Sequence, residues 1–249
     1  MPVRHEPWPA GTPCWIDLAA ADVTAARAFY SAVLGWEFTE SGPEFGGYLM
    51  AAMEGEWVGG IGATMSPEQP TAWTVYLATS DVDTTAKAVT AAGGQVVAGP
   101  FDVGPPGRMA VALDPTGAAF GLWQPRNHIG ISRYNEPGSL TWEEAWVGDL
   151  ERAKTFYADV FGYSYSPIPE MGGYELFATD GAELGAIGAT DGPPHWAAYF
   201  SVVDTDAALG RAVEQGATVV HPAMDSPYGR MAELVDPQGA GFKLSSAPA

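Results

Sequence analysis

The chain has 249 residues, 47% of them hydrophobic, and a formal net charge of −19 because 30 acidic residues face only 11 Lys and Arg. So acidic a surface repels phosphate backbones and argues against a nucleic-acid partner. The single cysteine, Cys14, excludes an intramolecular disulfide framework and fits a reducing compartment. The N-terminal "MPVRHEPWPAGTPCW" lacks an apolar h-region, and no run of about 18 apolar residues spans a membrane, so a cytoplasmic protein without membrane contact is expected.

In chain order, a strand "CWIDL" leads into a helix from Asp22 to Gly35. Asp is a good N-cap because its carboxylate accepts orphan N–H groups, and Gly just past the last turn tolerates the left-handed conformation that ends a helix. Short β-like runs follow, "GYLMAAM" and "VGGIGAT", and then the strand "AWTVYLAT" opens a second round. That round has a helix from Asp81 to Gly93 and the strands "QVVAGPF", "RMAVALD" and "AAFGLWQ". Two further helices, Asp149 to Gly162 and Asp204 to Gly216, carry the same caps. In the first helix Val23, Ala26, Phe29, Tyr30, Val33 and Leu34 recur at helical spacing, so its aromatic pair belongs to a core.

A shift of about 127 residues lays "CWIDLAAADVTAARAFYSAVLGW" over "TWEEAWVGDLERAKTFYADVFGY". Trp15 falls on Trp142, Asp17 on Glu144, Trp73 on Trp196 and Tyr76 on Tyr199, while "GGY", "IGAT" and "GRMA" each occur twice. "LDPTGAAFGLWQP" and "VDPQGAGFKLSSAP" close the halves, each opening on an Asp-Pro-x-Gly turn. The chain therefore divides into residues 10–125 and 139–247, joined by a linker over 126–138.

Each half reads as two strand-helix-strand-strand-strand modules. This order, with "D-x-x-x-A-x-x-FY-x-x-x-x-G" after the first strand and "DPxGxxF" near each end, resembles the vicinal oxygen chelate superfamily of glyoxalase, bleomycin-resistance and extradiol dioxygenase proteins. The chain is more closely similar to tandem-domain actinobacterial members carrying the labels hydroxylase or antigen. The resemblance implies an α+β fold of four βαβββ modules, paired into two cups of curled sheet that hold small molecules.

It also implies where a divalent ion would be held. The three ligand positions fall on Trp15, Thr74 and Gly121 in the first half and on Trp142, Ala197 and Lys243 in the second. Indole, methyl and glycine cannot coordinate a cation, and an ammonium repels one. A displaced partial site from Glu144 and His195 lacks a third ligand. No metal and no cofactor are therefore expected. The other histidines, His5, His128 and His221, fall in a tail, the linker and a loop, where solvated roles are expected.

What lines the cups instead defines the candidate site. Strand alternation places Asp17 and Glu144 on the face of Trp15 and Trp142. With Tyr76 and Tyr199 as partner acids, these carboxylates are the candidate catalytic pairs. Trp15, Trp73, Arg108, Trp123, Trp142, Trp196, Arg230 and Lys243 are the candidate ligand-binding residues. The leading expectation is a metal-independent binder of an aromatic or planar metabolite, acting as monomer or homodimer. A cofactor-independent lyase, isomerase or hydroxylase-like enzyme is the alternative.

Overall fold

The computed structural model describes residues 3–169 and 171–248. The first half folds as β1 (Pro13–Ala20), α1 (Val23–Leu34), β2 (Glu37–Glu40), β3 (Leu49–Met53), β4 (Glu56–Ala63), β5 (Ala72–Ala78), α2 (Val82–Ala91), β6 (Gln95–Asp102), β7 (Gly107–Leu113) and β8 (Ala119–Pro125). The second repeats it as β9 (Leu140–Val147), α3 (Leu150–Phe161), β10 (Ser164–Pro167), β11 (Tyr174–Thr179), β12 (Ala182–Ala189), β13 (His195–Ser201), α4 (Thr205–Glu214), β14 (Thr218–Ser226), β15 (Gly229–Val235) and β16 (Gly241–Ser246). The fold is α+β, with two curled, unclosed eight-stranded sheets ordered β2-β3-β4-β1-β5-β8-β7-β6 and β10-β11-β12-β9-β13-β16-β15-β14.

All four helices start as their sequences dictate. Asp22, Asp81, Asp149 and Asp204 each accept the backbone N–H three residues on. Gly35 and Gly162 are left-handed caps, whereas α2 and α4 end one residue earlier, with Gly93 and Gly216 left-handed just beyond.

In each sheet the first strands of the two modules lie side by side. β1 runs antiparallel to β5 and parallel to β4, and β5 runs parallel to β8. One row across the sheet therefore reads Trp15, Tyr76, Gly121, and the next pairs Asp17 with Thr74 and Gly60.

The convex faces of both sheets, with their helices, form a shared core. Trp36 and Trp73 pack edge-on against Phe200 of the other half, and Phe29 against Phe242. Two reciprocal latches cross this core. Tyr30 of α1 donates to Asp236 Oδ2 at 3.0 Å, and Tyr157 of α3 donates to Asp114 Oδ2 at 3.1 Å. Those aspartates open the two Asp-Pro-x-Gly turns, and their Oδ1 atoms accept backbone N–H groups of Thr116, Gly117 and Ala118, and of Gln238 and Ala240. Each motif thus caps its own turn with one oxygen and receives the partner half's helix with the other. A buried carboxylate whose oxygens are both satisfied is tolerated where an unpaired one is not.

The segment expected to be a plain linker is part of this packing. Ile131, Ser132 and Arg133 are buried, and Arg133 Nη1 meets Glu54 at 2.6 Å. Among the described residues, no helix is long and apolar enough to cross a membrane.

Candidate functional site

The concave face of the first sheet encloses a cavity of about 590 Å³. Trp15 and Asp17 enter it from β1, Tyr76 from β5, Met109 from β7 and Trp123 from β8, with Tyr48 at the entry to β3. Phe45, Met65 and Phe101 border it, the last two exposed to solvent.

Asp17 sits at the polar centre. Its Oδ2 accepts the hydroxyls of Tyr76 at 3.2 Å and Tyr48 at 3.3 Å, and Tyr48 Oη in turn accepts Trp15 Nε1–H at 3.0 Å. Among the described residues Oδ1 has no hydrogen-bond donor. Burial is the main cause that lifts the carboxyl to about 7, against the lowering effect of the two tyrosine hydroxyls. The tyrosines are pushed up in turn, first by burial and then by the adjacent Asp17 charge. The constellation can therefore hold or pass a proton near neutral pH.

Two glycines make this geometry possible. A Cβ at Gly121 would run into the Tyr76 ring, and one at Gly60 into the Tyr48 hydroxyl. Both phenols lie flat across the sheet to reach Asp17 because nothing stands beneath them. The third metal position is thus filled from a neighbouring strand.

His128 requires a correction. Expected to be solvated in the linker, it lines the cavity, its ring edge-on to Trp15 and Trp123 at centroid distances of 4.4 and 5.4 Å. Its Nε2 is buried without a partner among the described residues. Burial lowers its pKa to about 4, so the ring is neutral. The linker passes beneath Trp123, whose Nε1–H donates to the His128 carbonyl at 2.8 Å.

The second cup is built on the same plan and finished differently. Glu144 Oε1 accepts Tyr174 at 2.6 Å and Tyr199 at 2.8 Å, while Oε2 accepts Trp146 Nε1–H and Lys243 Nζ, both at 2.9 Å. Lys243 also donates to Tyr199 Oη at 3.0 Å and lies 4.8 Å from the Tyr199 ring centre. Trp142 Nε1–H reaches Tyr174 Oη at 3.3 Å. His195 is exposed, with Nδ1 at 2.9 Å from the Pro193 carbonyl, and it does not join Glu144.

Four candidate ligand contacts lie elsewhere. Trp73 and Trp196 are one residue out of step with Thr74 and Ala197, so alternation turns them to the convex side. There they donate to Tyr30 Oη at 3.1 Å and Tyr157 Oη at 2.9 Å, completing the latches between the halves. Arg108 pairs with Asp83 of α2, and Arg230 with Asp206 of α4 and Asp225. Both arginines tie a strand to a helix N-terminus outside the cups. Tyr48 and Tyr174, by contrast, belong to the site and were not among the expected residues; the duplicated "GGY" at 46–48 and 172–174 was the signal for them.

The donor set does not suit the divalent ion that the resemblance implies. Trp15 and Gly121 offer no coordinating group, Thr74 offers only a neutral hydroxyl, Lys243 offers a cation, and among the described residues no three His, Cys, Asp or Glu converge as a metal site.

Comparisons with known proteins agree with the architecture. The model of the Glyoxalase/Bleomycin resistance protein/Dioxygenase superfamily matches residues 14–122 and 139–244. "Putative glyoxylase CFP32" of Mycobacterium tuberculosis is 40% identical, covering 100% of this chain and 99% of its own. The anthracycline biosynthesis protein DauV of Streptomyces sp. is 38% identical, covering 94% and 92%. Among solved structures, the Mn(II)-bound glyoxalase from Novosphingobium aromaticivorans superposes with a TM-score of 0.69 at 17% identity, over 95% of this chain and 82% of that one. The 2,3-dioxygenase LapB from Pseudomonas sp. KL28 does so with 0.68 at 13% identity, over 96% and 94%. Sheet order, duplicated modules and these matches lead to one conclusion: the chain belongs to the glyoxalase/bleomycin resistance/dioxygenase superfamily, in its tandem two-domain form.

Proposed function

We propose that the chain is a metal-independent small-molecule binding protein whose first cup takes a planar, polycyclic aromatic metabolite. The observation that carries this reading is the cavity of about 590 Å³ walled by Trp15, Tyr76 and Trp123, with Asp17 as a polar anchor. Its size and its few convergent polar groups suit one drug-sized ligand, and aromatic walls favour stacking on a flat one. A relative involved by name in anthracycline biosynthesis is consistent with such a ligand. Titration with hydroxyanthraquinones tests the reading: saturable quenching of tryptophan fluorescence is expected, weakened at least about tenfold by Trp123→Ala. No saturable binding across a panel of such compounds would remove it.

One observation favours a second reading, an acid/base enzyme. Tyr76 donates to Asp17 Oδ2 at 3.2 Å, and burial raises that carboxyl to about 7, which suits a general base near neutral pH. Under this reading Asp17→Asn abolishes turnover of a ligand that it still binds.

A further inference from the structure

The two cups present a carboxylate at the same place in the sheet, Asp17 without a cation and Glu144 with one. In the second, the Glu144 carboxylate receives Lys243 Nζ at 2.9 Å, and that ammonium sits 4.8 Å from the centre of the Tyr199 ring and 5.3 Å from that of Trp146. This is a complete ammonium site, with the Glu144 carboxylate at hydrogen-bond distance, Glu233 Oε2 at 4.0 Å, two aromatic faces and a phenol oxygen. In the first cup, Gly121 stands where Lys243 stands and Ala19 where Trp146 stands. Among the described residues no Lys or Arg lines the cavity, and His128 is neutral there. Asp17 Oδ1 lacks a donor among the described residues, and the other acid on the wall, Glu44, adds to the negative field. The walls are rich in electron-dense faces, from Trp15, Tyr48, Tyr76 and Trp123.

We infer that the first cup binds an organic cation, a primary or secondary ammonium carried on a planar aromatic body, with the ammonium on Asp17 and the rings against the aromatic walls. The ligand supplies to Asp17 the charge that Lys243 supplies to Glu144. A buried carboxylate left alone is costly, and a cation that offsets its lost hydration gains affinity that a neutral ligand does not. The net charge of −19 draws cations toward the mouth before they dock. This inference rests on the reading of the first cup as a ligand site.

The test uses the full chain and a matched pair of probes, 2-naphthylmethylamine and 2-naphthylmethanol, followed by calorimetry and tryptophan fluorescence at about pH 8 and about 0.3 M salt, where diffuse attraction to the acidic surface is screened. The amine is expected to bind at least about tenfold tighter than the alcohol, and in Asp17→Asn the two should agree within about twofold. Equal binding of both probes to the unaltered chain overturns the inference and leaves the aromatic cup standing. So does a preference for the amine that persists in Asp17→Asn, or binding of hydroxyanthraquinones where neither naphthyl probe binds. If no planar aromatic binds at all, it is the underlying reading of the cup that falls.

Discussion

Replacing Asp17 with Asn removes an ionisation that the fold opposes. Burial carries the carboxyl from 3.8 to about 7, with the Tyr76 and Tyr48 hydroxyls pulling the other way. The unfolded chain releases this proton near its ordinary value, the folded chain only near neutrality. Between these limits the folded state holds more protons than the unfolded one, so stability falls as pH rises from about 4 to about 7 and is level above that. At 1.36 kcal/mol per pH unit the full displacement amounts to ~4 kcal/mol. Asp17 is only half-buried and water entering the cup screens it, so the expected contribution is ~2–4 kcal/mol.

The assay is urea unfolding of both proteins at about pH 4.5, 6, 7 and 8, plotted as the difference between them. Asp17→Asn should gain on the unaltered chain by ~2–4 kcal/mol across that range and gain nothing further above it. Tyr48 and Tyr76 are pushed upward, out of the window, and His128, lowered from 6.5 to about 4, acts within it in both proteins and cancels in the difference. Glu143, in β9 of the other sheet and raised to about 8 by burial, is present in both proteins and cancels in the difference. A flat difference curve, or a variant that loses ground as pH rises, would show that the fold does not raise the Asp17 carboxyl.

Other consequences can be measured separately. Lys243→Met strands the Glu144 carboxylate, whose side chain is 5% exposed, and should cost ~3–5 kcal/mol in urea unfolding; adding Glu144→Gln should recover most of it. Tyr30→Phe and Tyr157→Phe each deprive a buried aspartate of a donor from the other half, and each should cost ~1–3 kcal/mol by the same assay. Gly121→Ala forces the Tyr76 ring off the sheet, with an expected loss of ~1–3 kcal/mol and weaker aromatic binding in fluorescence titrations. Added Mn²⁺, Fe²⁺ or Zn²⁺ should leave the thermal midpoint unchanged, because a specific site would raise it by mass action.

The fold was legible because its signals are local and repeated. Asp caps and glycine stops delimit helices from their own residues, and a duplicated chain states each signal twice. Alternation also put Asp17 with Tyr76, and Glu144 with Tyr199, on one face of each sheet, where each pair meets. Trp73 and Trp196 obey the same alternation and lie on the wrong face for a ligand; their type, not their parity, suggested a pocket. His128 was illegible, since only the path of 126–138 under Trp123 brings a linker residue into the cup. The second role of Asp114 and Asp236 was hidden for a similar reason. Turn chemistry explains one carboxylate oxygen, and the other depends on where the partner half's helix comes to rest.

On the proposed reading, the first cup binds the ligand and the second is filled by its own lysine. A crystal structure of the chain with a bound hydroxyanthraquinone tests this directly. Ring density is expected between Trp15, Tyr76 and Trp123, with the Lys243–Glu144 pair intact in the other sheet. Density over Glu144 with Lys243 displaced, and an empty first cup, would contradict it.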